Sequence, residues 1–460
     1  MKLNDPLLEQ WQAILAKKGG GPAIFNSLGA VDRTFREIDE RAREFERTLD
    51  NVKAGSVLAV QIGNHQDWPA ILIACLRHGL VLLPLEKSIN EHQRDVALKI
   101  CRVSAIIESP ELIRKIDNQP PNWPAKTPSL LKLTSGTTAE PRAIRFRSEQ
   151  LLADCNQICQ TKGISEADLN FGVIPVSHSY GFSNLLTPLI ACGVPMVMSR
   201  DRTPRAVLDD LGRTNATVFP GMPVFYQAFC EMENVPSLPK LRLCISAGAP
   251  LPAAVAKKFR SRFGMPIHSF YGASECGGIC YDCEGVTDIE GYVGTPMKGV
   301  DLEMIDGKSE SSQVRVRTAA AGDGYFPEGD DEKLRIGVFV PDDLLARHLD
   351  GFKIVGRVSD VINVAGKKVN PSEIEEALLR FQGVRRAVAF GRPAAAGLRN
   401  EEVAACVIGN ADLKEADLLE ACRKALSLWQ VPKRIFIVDA IPANERGKVS
   451  RRELAKRFRA

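Results

Sequence analysis

Leu131-Lys-Leu-Thr134-Ser135-Gly136-Thr137-Thr138-Ala139-Glu140-Pro141-Arg142 leads from an apolar, strand-like segment into a loop of hydroxyls and glycine closed by a cation. Gly136 lets the backbone turn where a side chain would block it. Successive exposed N–H groups can form an anion-binding concavity, and four hydroxyls with the Arg142 guanidinium add further donors. The composition fits a loop that holds phosphate, and it equally fits an ordinary polar turn. It is not a Walker loop, because no Gly-Lys-Ser/Thr follows at the spacing that lets a lysine reach β- and γ-phosphates.

Outward from this loop the chain alternates. Apolar residues at Phe35, Ile38, Ala42, Phe45 and Leu49 have helical spacing. Residues 56–62 read as a strand, 68–77 as a helix, 80–85 as a strand, 91–103 as a helix and 105–107 as a strand. The proline-rich stretch 119–124 separates that unit from the loop. Beyond it come a helix from about 148, a strand at 171–175, a helix near Asn184, a strand at 195–198 and strands near Ala216 and Leu241. This rhythm predicts an α/β fold, with parallel β-sheets covered by helices in a large, multi-subdomain N-terminal part and ligands bound beyond the carboxyl ends of strands. A stretch rich in Gly, Asp and Glu at 319–333 precedes a last unit. Its strands at 352–355, 387–390, 403–407 and 434–438 and helices at 371–381 and 413–426 read as a small α+β domain.

The 460 residues, 45% hydrophobic and 25% charged, suit two or three globular domains and exclude disordered and fibrous classes. A net charge of +4 permits an acidic ligand, and with no polybasic run no nucleic-acid partner is expected. Residues 1–6 begin no apolar signal region, and the longest apolar run, 71–85, is broken by Arg77 and His78. No transmembrane segment and a cytoplasmic location are therefore expected. Twelve cysteines, mostly in apolar segments, read as buried thiols of a reducing compartment. Cys276, Cys280 and Cys283 have a spacing known for iron–sulfur clusters, with free thiols as the alternative.

Further motifs follow the loop in order: Pro175-Val-Ser-His178-Ser-Tyr-Gly181, Ser246-Ala-Gly248-Ala249-Pro250, Tyr271-Gly272-Ala-Ser274-Glu275, then Asp343, Gly356-Arg357 and Gly447-Lys448. On these the chain resembles the adenylate-forming superfamily of acyl-CoA synthetases, amino-acid adenylation domains and luciferases, and most of all its acyl- and aryl-CoA synthetase branch. The resemblance runs from about Thr34 to Leu454. It implies an AMP-forming acid–thiol ligase of fatty-acid-metabolism type. A carboxylate attacks the α-phosphate of ATP to give an acyl-adenylate and pyrophosphate, and the thiol of CoA, or of a carrier protein's phosphopantetheine, then displaces AMP.

By that resemblance, residues 1–357 are a large N-terminal adenylation domain, and 358–460 a small, mobile C-terminal domain carrying the catalytic lysine. Thr134, Ser135, Gly136, Thr137, Thr138 and Arg142 would wrap the β- and γ-phosphates, with Ala139 and Arg142 replacing the family's usual Gly and Lys. Glu275 would hold Mg2+, Ser274 would bond the α-phosphate, and Tyr271 and Gly272 with Gly248, Ala249 and Pro250 would form the adenine slot. Asp343 would accept the ribose hydroxyls and Arg357 donate to ribose or phosphate. Lys448 would bridge carboxylate and α-phosphate during adenylation, with His178 counted beside it and Glu275 among the catalytic residues. Ser359 would be the hinge and Gly366 would line the thiol tunnel. The motif around His178, with Tyr180, Phe219, Met222, Phe225 and Ala273 as pocket candidates, suits a fatty or aromatic acid. Two alternatives stand beside CoA ligation: loading of an acyl carrier protein, and a degenerate nucleotide-binding member with weak turnover.

Overall fold

Near-continuous apolar runs such as Val57–Val60 and Val81–Pro84, buried at every position, belong to parallel strands covered on both faces. A computed structural model places them side by side. It describes residues 5–116, 119–124, 126–134, 142–199, 201–286, 288–307, 309–327, 332–364, 367–393, 401–442 and 449–458. The chain divides into two units: Met1–Glu303, Arg315–Pro341 and His348–Phe352 form the first, and Met304–Val314, Asp342–Arg347 and Lys353–Ala460 the second.

Among the described residues the first unit contributes to two sheets. In one, Leu130–Leu133, Val81–Pro84, Val57–Val60 and Val103–Ser109 run parallel. Ala143–Phe146 and then Gly324–Phe326 add antiparallel strands at the Leu130–Leu133 side. In the other, Ile267–Ala273, Leu243–Ser246, Val218–Gly221, Asn170–Gly172, Met196–Met198 and Pro22–Phe25 are parallel in that order. An antiparallel strand, Gly277–Tyr281, pairs with Ile267–Ala273. The parallel centre agrees with the sequence pattern, whereas the flanking antiparallel strands were not foreseen, because runs of three to five residues carry almost no periodic signal.

Helices cover these sheets. Phe35–Leu49 begins at a capping box in which Thr34 accepts from the Glu37 N–H and Glu37 accepts from the Thr34 N–H, and it buries Phe35, Ile38, Ala42, Phe45 and Leu49. Each of the larger of these side chains stabilises the fold by about 1.5–3 kcal/mol. No helix among the described residues is long and apolar enough to cross a membrane. The apolar run 71–85 is instead the buried helix Trp68–His78 followed by the strand Val81–Pro84, with Gly79 at φ 65° between them.

In the second unit Val384–Pro393 pairs antiparallel with Glu401–Gly409, which pairs parallel with Arg434–Ile437. Side-chain alternation divides its core. Ala387, Ala389, Val403, Ala405 and Val407 pack with Ile374, Leu378, Leu418 and Cys422 of the helices Pro371–Leu379 and Glu415–Ala425. The alternate residues Val388, Phe390, Ala404 and Cys406 pack with Leu454 of the helix Arg451–Arg457. Arg451 fixes that helix, donating to the Ala389 carbonyl at 2.9 Å and to Glu375 at 2.8 Å, and also to Asp360.

Candidate active site

Parallel pairing aligns the carboxyl ends of the second sheet: Gly221 lies opposite Ser246, and Ser246 opposite Ser269. The segments leaving these strands therefore emerge along one edge, where α/β sheets hold ligands. After Leu243–Ser246 come Gly248, Ala249 and Pro250, all exposed. Gly248 has φ +84° and nothing within 4 Å of where a Cβ would stand, so the backbone there is open to a flat ligand. Tyr271 is buried on the neighbouring strand. At Gly272 an added Cβ would come within 2.6 Å of the Gly277 carbonyl oxygen, so only glycine permits the tight hairpin that presents Ser274 and Glu275 at its tip.

The Ser179 hydroxyl donates to Ser274 Oγ at 3.0 Å, joining this hairpin to the segment after Asn170–Gly172. That segment is itself a closed turn. The His178 N–H donates to the Pro175 carbonyl at 3.0 Å, and a Cβ on Gly181 would lie 2.1 Å from the same oxygen, which accounts for the spacing of proline, histidine and glycine in the motif. His178 Nδ1 accepts from the Tyr180 N–H at 3.2 Å, so the proton of the neutral ring lies on Nε2 and that edge is a donor. Among the pocket candidates, Phe219 and Phe225 are core residues packed edge-on to each other, while Met222 and Ala273 are half-buried at strand ends. The Tyr180 and Ser246 hydroxyls are buried with no hydrogen-bond partner among the described residues.

The hydroxyl-rich loop joins Leu130–Leu133 to Ala143–Phe146 as the end of a β-hairpin. Thr134 clasps its neck, with N–H and Oγ1 both donating to the Arg142 carbonyl at 2.8 and 3.1 Å. Ser135, Gly136, Thr137 and Thr138 lie outside the described residues. The Arg142 guanidinium stands 5.7 Å from the centre of the Tyr325 ring, and the Tyr325 hydroxyl donates to Glu275 Oε1 at 3.3 Å. Gly322 N–H donates to the Glu275 carbonyl at 2.9 Å, and Arg147 holds Asp323 through two bonds of 2.7 and 3.0 Å. Residues 322–325 thus tie the neck of the loop to the tip bearing Glu275. Tyr325 was missed in the sequence because it lies in the Gly- and Asp-rich stretch that reads as a domain boundary.

Beside residues 175–177 a cleft of about 420 Å³ is lined by Asn64, His65, Lys87, Pro175, Ser177 and Arg202. Asn64 sets its floor, donating to the Gly172 carbonyl at 3.2 Å and accepting from the Val176 N–H at 3.0 Å.

Lys162 is buried beneath the same sheet, its Nζ donating to Asn184 Oδ1 at 2.7 Å and standing 3.4 Å from the centre of the Phe270 ring. Burial pushes its ammonium down to about 7, with the charges of Asp154 and Cys159 opposing that shift. A lysine in an unfolded chain titrates near about 10.4, so between about pH 7 and 10 the unfolded state binds more protons and stability rises with pH. Lys162→Met should remove up to about 1.4 kcal/mol per pH unit from the slope of stability against pH in that window. Denaturant unfolding of both proteins at several pH values checks this; identical slopes would mean that Lys162 stays charged in the fold.

In the second unit, Arg357 Nε donates to Asp343 Oδ1 at 2.7 Å, bringing together the two residues assigned to the ribose. Gly356 is required beside them, since a Cβ would stand 2.6 Å from Asn370 Oδ1, and Asn370 holds the Val355 carbonyl while starting the helix Pro371–Leu379. Ser359 is exposed in a short turn, Val358–Asp360. Gly366 and Lys448 lie outside the described residues. The sulfurs of Cys276, Cys280 and Cys283 do not converge, and these residues are free thiols.

A family model described as AMP-binding enzyme matches residues 10–122 and 109–325, and one described as AMP-binding enzyme C-terminal domain matches 373–448. A feruloyl-CoA synthase of an Amycolatopsis species is 26% identical over 469 residues, covering 94% of this chain and 95% of that protein. A 3,4-dihydroxybenzoate–(aryl-carrier protein) ligase of Bacillus anthracis is 29% identical over 336 residues, covering 72% of this chain and 75% of that protein. The crystal structure of ATP-bound MatB from Rhodopseudomonas palustris has the same fold, with a TM-score of 0.86 over 99% of each chain at 21% identity.

Proposed function

The chain belongs to the AMP-binding enzymes, and from that premise we propose that it activates a fatty or aromatic carboxylic acid with ATP and transfers the acyl group to CoA. The observation that carries this reading is the line from the loop neck at Thr134 and Arg142 through Tyr325 to Glu275 and Ser274, beside the open backbone at Gly248. Donors for phosphate from one sheet meet, through Tyr325, a carboxylate and a slot for a flat ring at the carboxyl ends of the other.

In the first step two anions must approach each other, so cationic groups have to offset their repulsion and hold them in line. Arg142 offers a planar fork to the terminal phosphates. Ser274 bonds the α-phosphate, Tyr271 with residues 248–250 holds the adenine, and Asp343, oriented by Arg357, accepts from the ribose. Lys448 supplies the charge that grows most useful as the new oxygen–phosphorus bond forms. The half-buried carboxylate of Glu275, met at Oε1 by the Tyr325 hydroxyl, is a hard-oxygen ligand suited to Mg2+. When bound, that ion neutralises phosphate charge. His178, with Nδ1 committed to the turn, presents Nε2–H as a donor to an acid. In the second step the thiol attacks the acyl carbon and AMP leaves, with Ser359 as hinge and Gly366 beside the pantetheine.

The feruloyl-CoA synthase resemblance favours an aromatic acid and CoA. The aryl-carrier protein ligase relative supports the second reading, in which the acceptor is a carrier protein's phosphopantetheine. ATP–pyrophosphate exchange across benzoic, cinnamic and fatty acids, followed by trials with CoA and with phosphopantetheinylated carrier protein, tests both. Exchange with an aromatic acid and thioester formation on free CoA is the expected result. Exchange with no acid would leave a nucleotide-binding protein without turnover.

A further inference from the structure

Three thiols that have no place in the ligase chemistry meet between helices. Cys155 and Cys159 are one turn apart on Ser148–Lys162, hence on one face, and Cys192 is the last residue of Thr187–Cys192. Their sulfurs all lie within 4.8 Å of one another, with Cys155 Sγ 3.8 Å from Cys192 Sγ. Sulfurs that share a metal at about 2.3 Å each stand about 4 Å apart, so the trio already has the spacing of a three-sulfur site. We propose that Cys155, Cys159 and Cys192 form a thiolate site for a thiophilic cation of the Zn2+ class, apart from the ligase chemistry.

Two further features favour a cation over a disulfide. Cys159 lies in the last turn of its helix and Cys192 ends its own, so two of the sulfurs stand at carboxyl ends of helices, where positive charge is favoured. A disulfide also needs only two sulfurs, whereas the third lies within 4.8 Å of both. Cys155 and Cys159 are buried whereas Cys192 is half-exposed, which gives the ion an entry path and room for a fourth ligand from solvent. Binding a divalent ion forms three metal–sulfur bonds and releases to solvent the proton of each ligand that was a thiol.

The test is titration of the reduced, metal-free full chain with Cd2+ and with Zn2+. Expected are a thiolate-to-Cd2+ charge-transfer absorption saturating at about one equivalent, and X-ray absorption of the Zn2+-loaded, unmutated chain reporting about three sulfurs at about 2.3 Å. Cys192→Ser should weaken binding by more than about 100-fold, beyond the effect of losing an outer-shell partner, and Cys283→Ser should leave it unchanged. No saturable binding, fewer than three sulfurs, or undiminished binding by Cys192→Ser would overturn the proposal. So would a Cys155–Cys192 disulfide in the oxidised chain together with no metal uptake by the reduced one.

Discussion

Lys448→Ala lowers acyl-adenylate formation by about 10²- to 10³-fold, while thioester formation from supplied acyl-adenylate and CoA keeps most of its rate. The asymmetry follows from where charge develops. In adenylation a carboxylate oxygen approaches a phosphate, and an ammonium on a long, adaptable stem can attract both; in thiol attack the phosphoester leaves and no second anion has to be brought in. Lys448 sits in a glycine-bearing polar stretch, and the residues just after it are firmly held: Ser450 caps the helix Arg451–Arg457, and Arg451 grips Glu375, Asp360 and the Ala389 carbonyl. Single-turnover assays of the two half-reactions separate the effects. Equal loss in both would assign Lys448 a structural role.

Glu275→Gln should lower adenylation by about 100-fold and raise the Mg2+ concentration needed for half-maximal rate. Glutamine keeps the shape of the side chain and an oxygen that can accept from the Tyr325 hydroxyl, so folding should change little. What disappears is the negative charge, and with it most of the attraction for a hard cation. Rates measured across a Mg2+ series distinguish this from a packing defect, which would lower the rate without moving the metal dependence.

The parts of the fold legible in the sequence were those with a long period. Phe35–Leu49 shows its apolar stripe and its capping box directly, and the buried strands beside Trp68–His78 show as unbroken apolar runs. Short antiparallel strands were illegible, and Gly277–Tyr281 and Gly324–Phe326 were therefore not foreseen, though they place Glu275 and Tyr325. The motif glycines were legible as glycines, but their reasons were not: Gly181 and Gly272 are required by carbonyls at Pro175 and Gly277, one of them six residues away.

The cysteines teach the same point through geometry. Cys276, Cys280 and Cys283 are close in sequence, yet four residues along an extended strand span about 13 Å, so their sulfurs separate. Cys155 and Cys159 have the same four-residue separation on a helix, where such residues are neighbours, and Cys192 reaches them only through tertiary packing. Spacing alone cannot distinguish the two cases without knowing the element.

The most direct test of adenylate chemistry follows one oxygen atom. An aromatic acid labelled with oxygen-18 in its carboxylate is turned over with ATP and CoA, and the AMP, pyrophosphate and thioester are examined by mass spectrometry. Attack of the carboxylate on the α-phosphate leaves one labelled oxygen in the phosphate of AMP, and that is the predicted result. Label appearing in inorganic phosphate with release of ADP, or thioester formed without label in AMP, would contradict it.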